Sequence, residues 1–464
     1  LQFDLVVANG TVVTAEGRAG VDIGIAGGVI AAIAAPGQIP ADGAAARIDA
    51  SGLCALPGLI DVHVHLFDPG WPEWEDFPHG TRAAAAGGIT TIFEMPVSRP
   101  PVDSAEVFAA RLHAVKGRAV VDFALYGGLG ETNGGAAAGM ARAGAIGFKT
   151  FRARGMAGKH GAQDGIRAPD PGAMLERFRE SAATGLPHAV HAEHDRLAEH
   201  FKAEAIARGW TRPEHHNLGR PELCEIVSTV ETLALARAAR ARLHVVHMSA
   251  PDAVEAAARA RDSGQAVTLE TCPQYLLFSS DDMARFGAYG KVHPPLRGPE
   301  SRDRLWEYVT DGTIDVIASD HSPFPASDKA PYEDDIWGAA GGHPGLETML
   351  PGLLTQVNAG KITLERLAAL TSENPARIFG LHPRKGSMTL GADADLVLID
   401  LGATDVVRPE RMFTKARTAE RWFDGASVQG KTVTTIVRGV PVFDRGRIVV
   451  EPGHGRFVRP GQLA

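Results

Sequence analysis

Short apolar runs recur through the middle of this chain, and each gives way to a Gly/Pro-rich break and then to a stretch with helical spacing. The runs are LIDVHVH (59–65), ITTIFEM (89–95), VVDFALY (120–126), AIGFKTF (145–151), HAVHAEH (188–194), LHVVHMS (243–249), AVTLETC (266–272) and IDVIASD (314–320). Helices are predicted between them, for example over SAEVFAARLHAVKG (104–117), PGAMLERFRESAATG (171–185) and PDAVEAAARARDSG (251–264). Eight strand-then-helix units predict an α/β architecture, a closed (β/α)8 TIM-like barrel over residues 55–384. A doubly wound open sheet would show the same alternation, and strand count does not separate the two. The ends read differently. FDLVVANGTVV carries an Asn9-Gly10 turn between β-rich runs, a hairpin signal, and VDIGIAGGVIAAIA repeats the pattern around Gly27-Gly28. KGSMTLGADADLVLIDL (385–401) and TVTTIVRGVPVFDRGRIV (432–449) are equally strand-rich. Residues 1–54 and 385–464 are therefore expected to pair into one small β-sandwich domain beside the barrel.

Composition narrows the class without choosing a chemistry. A chain of 464 residues, 44% hydrophobic and 22% charged, is long enough for a large core and more than one domain. Its net charge of −8 offers no basic face, so no nucleic-acid partner is expected. The three cysteines, Cys54, Cys224 and Cys272, are odd in number and far apart, which argues against a disulfide framework and for a reducing, cytoplasmic setting. No secretion-type start is visible, and the longest uncharged stretch, 24–41, is too short and too broken by glycine and proline to span a bilayer.

The polar residues inside the eight runs carry the chemistry. In a (β/α)8 barrel, functional groups stand at the C-terminal ends of the strands. His63 and His65 end the first run, two apart and so on one face. Lys149 lies in the fourth, His191 in the fifth, His247 in the sixth, and Asp320 closes the eighth. Each has an ordinary explanation alone: polar packing for the histidine pair, hydrogen-bonded core histidines, a snorkelling or paired lysine, a helix-capping aspartate. Together they do not, because burying all six at one barrel mouth is costly unless something compensates. Two divalent cations would, and imidazole with carboxylate suits Zn2+. Lys149 is the anomaly, since an ammonium cannot ligate a cation. Neutralised by burial, its amine can take up CO2 to give N6-carboxylysine, an anion able to bridge two metals.

The chain resembles the cyclic amidohydrolases of the amidohydrolase superfamily, the group of allantoinase, dihydropyrimidinase (hydantoinase) and dihydroorotase. The resemblance runs over almost the whole length, through LPGLIDVHVHLFDPG, GTRAAAAGGITTIFEMP, GFKTF, HAEH, LHVVHMS, TCPQYLLF and ASDHSPF. It implies that His63, His65 and Asp320 bind one metal, that His191 and His247 bind the second, and that carboxylated Lys149 bridges them. It also implies that Asp320 is the catalytic proton carrier. Within the group the similarity is greatest to allantoinase. Dihydroorotases carry an Arg two residues after the histidine pair and an Asn after EMP; Phe67 and the Val97-Ser98 run stand there instead. His293, in KVHPPLRG, replaces an expected Ser or Asn beside the bound ring, and backbone near His293 and Gly341 is expected to hold the ring's ureide edge. The implied substrate is a small cyclic ureide or amide, allantoin first, with hydantoins, dihydropyrimidines and cyclic imides as alternatives. Relatives also imply a homo-oligomer, dimer or tetramer. A non-catalytic homologue lacking ligands is the rival of another class, but all six ligand positions are filled here. The breaks after the fourth and eighth strands are long, as loops that cover a mouth are; Arg152 and Arg154 on the first are expected to be solvated loop charges.

Overall fold

A computed structural model describes residues 2–40, 43–153 and 164–461. All eight apolar runs form strands, at Leu59–Val64, Ile89–Glu94, Asp122–Leu125, Phe148–Phe151, His188–His191, Leu243–Val245, Val267–Thr271 and Val316–Ile317. Neighbours pair in parallel in chain order, as βαβ units require. The question left by strand count is settled at two seams. The third and fourth strands join through Ile146 N to Leu125 O at 3.0 Å and Gly127 N to Gly147 O at 3.0 Å. The eighth meets the first where His65 N donates to His321 O at 2.8 Å, beside a parallel bridge between Val64 and His321. The sheet is therefore a closed barrel. A buried cluster including Ile60, Phe93, Tyr126, Val246 and Val316 packs together as barrel core.

Helices follow each strand, and the predicted ones lie at Ala105–Val115, Pro171–Thr184 and Pro251–Asp262. Local sequence sets their ends. Ser104 and Asp170 accept from Val107 N at 3.2 Å and Ala173 N at 2.8 Å, and Gly185 ends its helix with φ +73°. Among the described residues, no helix is long and apolar enough to cross a membrane.

The chain ends form one connected nine-stranded sheet. Its two halves are joined where Cys54–Pro57 pairs antiparallel with Leu396–Val406, Leu396 opposite Pro57 and Ile399 opposite Cys54. Leu5, Val7, Ile23 and Ile25 from one end share a core with Leu396, Leu398 and Ile436 from the other. Gly27-Gly28 makes the expected two-residue hairpin, both at positive φ, with Ala26 opposite Val29. Asn9-Gly10 does not. Phe3–Thr14 is a single strand, and Asn9, at φ +63°, marks a bulge where its register with Gly17–Ala26 shifts. The expected hairpin is absent here because Asp22 Oδ1 accepts from Asn9 N at 2.9 Å and the strand runs on.

A buried charge cluster ties sheet to barrel. Lys385 Nζ reaches Asp122 Oδ2 at 2.8 Å, Asp393 Oδ2 at 3.0 Å and Asp395 Oδ2 at 2.6 Å. Asp122 begins the third barrel strand, while Asp395 immediately precedes the sheet strand Leu396–Val406. Arg438 adds a second cation on Asp122. Lys385→Met would leave three carboxylates short of their shared cation. It is expected to lower stability by about 3–5 kcal/mol, the cost of orphaning a buried charge, read as a fall in the urea unfolding midpoint.

Candidate active site

The six residues singled out by position converge. His63 and Lys149 lie within their strands, His191 ends its own, and His65, His247 and Asp320 sit one to three residues beyond theirs. His63, His65, His191, His247 and Asp320 line one cavity, together with Phe67, Phe151, His293, Ser322, Phe324, Gly341 and Gly342. Lys149 is wholly buried beneath it, its Nζ 3.4 Å from His63 Nε2. His63 Nε2 lies 3.3 Å, and His65 Nε2 3.6 Å, from Asp320 Oδ1. His191 Nδ1 faces His247 Nε2 at 2.9 Å, and the His63 and His247 rings stand 5.2 Å apart, so the two groups adjoin.

Backbone strain helps to aim these groups. Phe67, His247 and Asp320 adopt φ of +56°, +41° and +49°, left-handed values that cost a non-glycine residue on the order of 1–3 kcal/mol each. The surroundings hold them there. Glu270 Oε1 accepts from His247 N at 3.0 Å, and the segment after Asp320 is pinned by His321 O accepting from His65 N at 2.8 Å. Asp61 Oδ1 accepts from both His63 N at 3.1 Å and Ser319 N at 3.2 Å, locking the first and eighth strands in register below the mouth.

Burial dominates the electrostatics. It pushes the Lys149 amine down to about 8, against the opposing pull of the Glu270 and Asp320 carboxylates. It pushes His65 down to about 4, and lowers His191 and His247 as well, so these imidazoles are neutral donors. Burial alone would raise Asp320, but His63 and His65 bring it below the usual carboxylate range. Glu270 is likewise held low despite burial, by His63 and His244.

The donor set fits divalent metal. One ligand atom from each of His63, His65 and Asp320 lies within 4.8 Å of the others. His65 Nδ1 and His247 Nδ1 are buried with no partner among the described residues.

The substrate-side expectations divide. Phe67, His293 and Gly341 line the cavity. Ser98 does not; its hydroxyl donates to Pro100 O at 2.8 Å within its own loop. Phe67, Phe151 and Phe324 belong to one apolar cluster with Trp71 and Trp74, an aromatic wall not foreseen as a unit because it is assembled from two loops and a strand end far apart in the chain. The loop after the eighth strand is stapled from below by Lys291, whose Nζ donates to Ile336 O at 2.7 Å, Trp337 O at 3.1 Å and Ala339 O at 2.7 Å. Arg152 is not a solvated loop charge. It is buried, donates to Ala168 O at 2.6 Å and pairs with Glu231, whose helix supplies the countercharge. Arg154 lies outside the described residues. Glu193, Arg220 and Glu270 were missed altogether; the signal available was a lone acid inside the apolar runs HAVHAEH and AVTLETC.

An architecture of this kind, a closed barrel whose strand ends gather imidazoles, an amine and a carboxylate, defines a metal-dependent hydrolase scaffold. The family model described as "Amidohydrolase family" matches residues 54–442, and the chain belongs to that family. Among curated relatives, an allantoinase of Rubrobacter xylanophilus is 41% identical over 460 residues, 99% of this chain and 98% of the relative. An L-hydantoinase of Paenarthrobacter aurescens is 38% identical over 459 residues, 98% of each chain. The solved structure of L-hydantoinase (dihydropyrimidinase) from Arthrobacter aurescens superposes with a TM-score of 0.94 at 38% identity, covering 99% of this chain and 100% of that one.

Gly341 offers a direct test of the pocket wall. A Cβ there would meet His293 Cδ2 at 2.5 Å and Nε2 at 2.8 Å. Gly341→Ala should displace the imidazole, lower kcat/KM, and cost ~1–3 kcal/mol of stability through overpacking. The double variant Gly341→Ala/His293→Ala should recover part of the packing loss, seen in thermal unfolding.

Proposed function

We propose that this chain hydrolyses a cyclic amide, opening the ring at a C–N bond, with allantoin as substrate and allantoate as product. The observation that carries the reading is the meeting of His63, His65, Lys149, His191, His247 and Asp320 at one barrel mouth, around a cavity. The full-length likeness to an allantoinase supports the choice of ring. Phe67 lines that cavity where a dihydroorotase-like chain would present a cation, which disfavours an acidic ring. A cytoplasmic role in purine catabolism, and assembly as a dimer or tetramer, belong to the same proposal.

His63, His65 and Asp320 would hold one divalent cation and His191 and His247 the second, with a carbamate on Lys149 shared between them. In forming the carbamate, Nζ attacks CO2 and sheds one proton. The amine is fully buried, its one described hydrogen-bond partner is His63, and burial outweighs the pull of the Glu270 and Asp320 carboxylates on an ammonium. Zn2+ suits this nitrogen and oxygen donor set, and such ions supply Lewis acidity and acidify a neighbouring water. The remaining work falls to the chain. Asp320 accepts a proton from the attacking water and delivers it to the ring nitrogen as the C–N bond breaks, base first and acid second. His293 and the backbone at Gly341 orient the ring. Phe67, Phe151 and Phe324 exclude bulk water from the reacting carbonyl.

Those three phenyl rings favour one second reading, a hydantoinase acting on rings with an apolar substituent. They form a greasy neighbour with no hydrogen-bond donors for the ureido arm of allantoin. A panel of allantoin, 5-substituted hydantoins, dihydropyrimidines, cyclic imides and dihydroorotate decides by kcat/KM. Allantoin is expected to lead. A benzyl- or alkylhydantoin in front selects the second reading, and dihydroorotate in front refutes both. Lys149→Ala, with circular dichroism unchanged, should hold fewer than two metal ions per chain by elemental analysis. Its kcat/KM should fall about 10³-fold, the equivalent of several kcal/mol of lost charge stabilisation.

A further inference from the structure

Two buried carboxylates outside the proposed ligand set each face one histidine of it, on opposite ring nitrogens. Glu270 Oε1 lies 2.7 Å from His63 Nδ1. Glu193 Oε2 lies 2.9 Å from His191 Nε2. An ionised carboxylate only accepts hydrogen bonds, so in a neutral ring the facing nitrogen carries the proton and the other the lone pair that a cation needs. The lone pair of His63 is then on Nε2, the atom beside Asp320 and Lys149; that of His191 is on Nδ1, the atom beside His247.

We propose that Glu270 and Glu193 are positioning residues that lock His63 and His191 in opposite tautomers, one for each metal position. This rests on the two-ion reading above for its consequence, though not for the locking itself. Each ion would then have one histidine fixed by an acid and one, His65 or His247, whose outer nitrogen has no described partner.

The two acids are anchored differently, which separates their effects. Glu193 is gripped by a single cation: Arg220 Nε reaches Oε1 at 3.0 Å and Nη2 reaches Oε2 at 2.6 Å, a two-point fork. Its influence ends at His191. Glu270 receives His244 Nε2 on Oε2 at 3.1 Å, and its Oε1 also accepts from His247 N at 3.0 Å. His244 is set in turn by Thr268 Oγ1, 2.8 Å from its Nδ1. Glu270 therefore orients the ring of His63 and holds the backbone of His247, one residue from each proposed ion.

The test uses Glu193→Gln and Glu270→Gln in the full-length chain, which keep shape but replace an acceptor-only group with an amide able to present either a donor or an acceptor to the ring. In metal-free protein labelled with 15N-histidine, wild type should show one ring fixed with its proton on Nδ1 and one on Nε2. Glu270→Gln should let the first ring populate both tautomers, and Glu193→Gln the second. Chelator competition with Co2+ should then show one ion of two loosened about 10–100-fold in Glu193→Gln, and both ions loosened in Glu270→Gln. Glu193→Asp, too short to reach the ring, should not rescue. Imidazole signatures unmoved by either substitution would overturn the locking. Locked tautomers in a wild-type chain that takes up fewer than two ions would instead overturn the two-ion reading and leave the locking standing.

Discussion

Removing four imidazoles, an amine and a carboxylate from water at one end of a barrel is the constraint on which the rest of this structure depends. No apolar environment tolerates such a set unless each member has a partner. The fold answers in layers. Asp320 stands against His63 and His65, Glu270 against His63, and Glu193 against His191, while Arg220 offsets Glu193 in its turn. What the described protein atoms leave without a full set of partners is the converging imidazole nitrogens, the place at which the proposed ions would sit.

The barrel makes this convergence possible because it closes. Asp61 and the His65–His321 hydrogen bond join the first strand to the last, so that residues 257 positions apart in the chain, His63 and Asp320, come to lie 3.3 Å from each other. Closure also permits strain at the mouth. Three non-glycine residues in left-handed conformations, Phe67, His247 and Asp320, stand where strands pass into loops, and the well-packed barrel beneath carries the cost. Among the described residues, the terminal sheet supplies no group to the cavity. Its contribution is mechanical, through Lys385 and its aspartates on the third strand and through Thr435 Oγ1, which donates to Ala85 O at 2.7 Å.

One side of the cavity is aromatic and the other is imidazole and glycine backbone, and this division bears on which ring is accepted. Phe67 and Phe324 come from the loops after the first and eighth strands and Phe151 ends the fourth strand; Phe67 stands 5.2 Å from Phe324 and 5.3 Å from Trp74, ring centre to centre. Their loops are held from outside the cavity. Lys291 staples one from beneath, and Arg111 fixes the turn after the first strand by reaching Asp68 O at 3.2 Å and Glu94 Oε1 at 2.5 Å.

By itself the sequence determined the eight strands, the pairing of the two chain ends, and all six polar residues at the mouth. It could do so because strand alternation and the position of a residue within a strand are local properties, and a barrel converts strand order into position around a ring. Phe67, His293 and Gly341 were legible for the same reason, since each follows a strand end or a recognisable motif. Only the tertiary structure decided the rest. Asn9 became a bulge because Asp22, thirteen residues away, captures its amide. Ser98 turned back to Pro100, and Arg152 was drawn inward by Glu231, a residue on another element. The tautomers of His63 and His191 depend on acids 207 and two residues away, aimed by Arg220 and His244. Side-chain direction and ion pairing are contests between distant groups, and a linear pattern carries no record of who wins them.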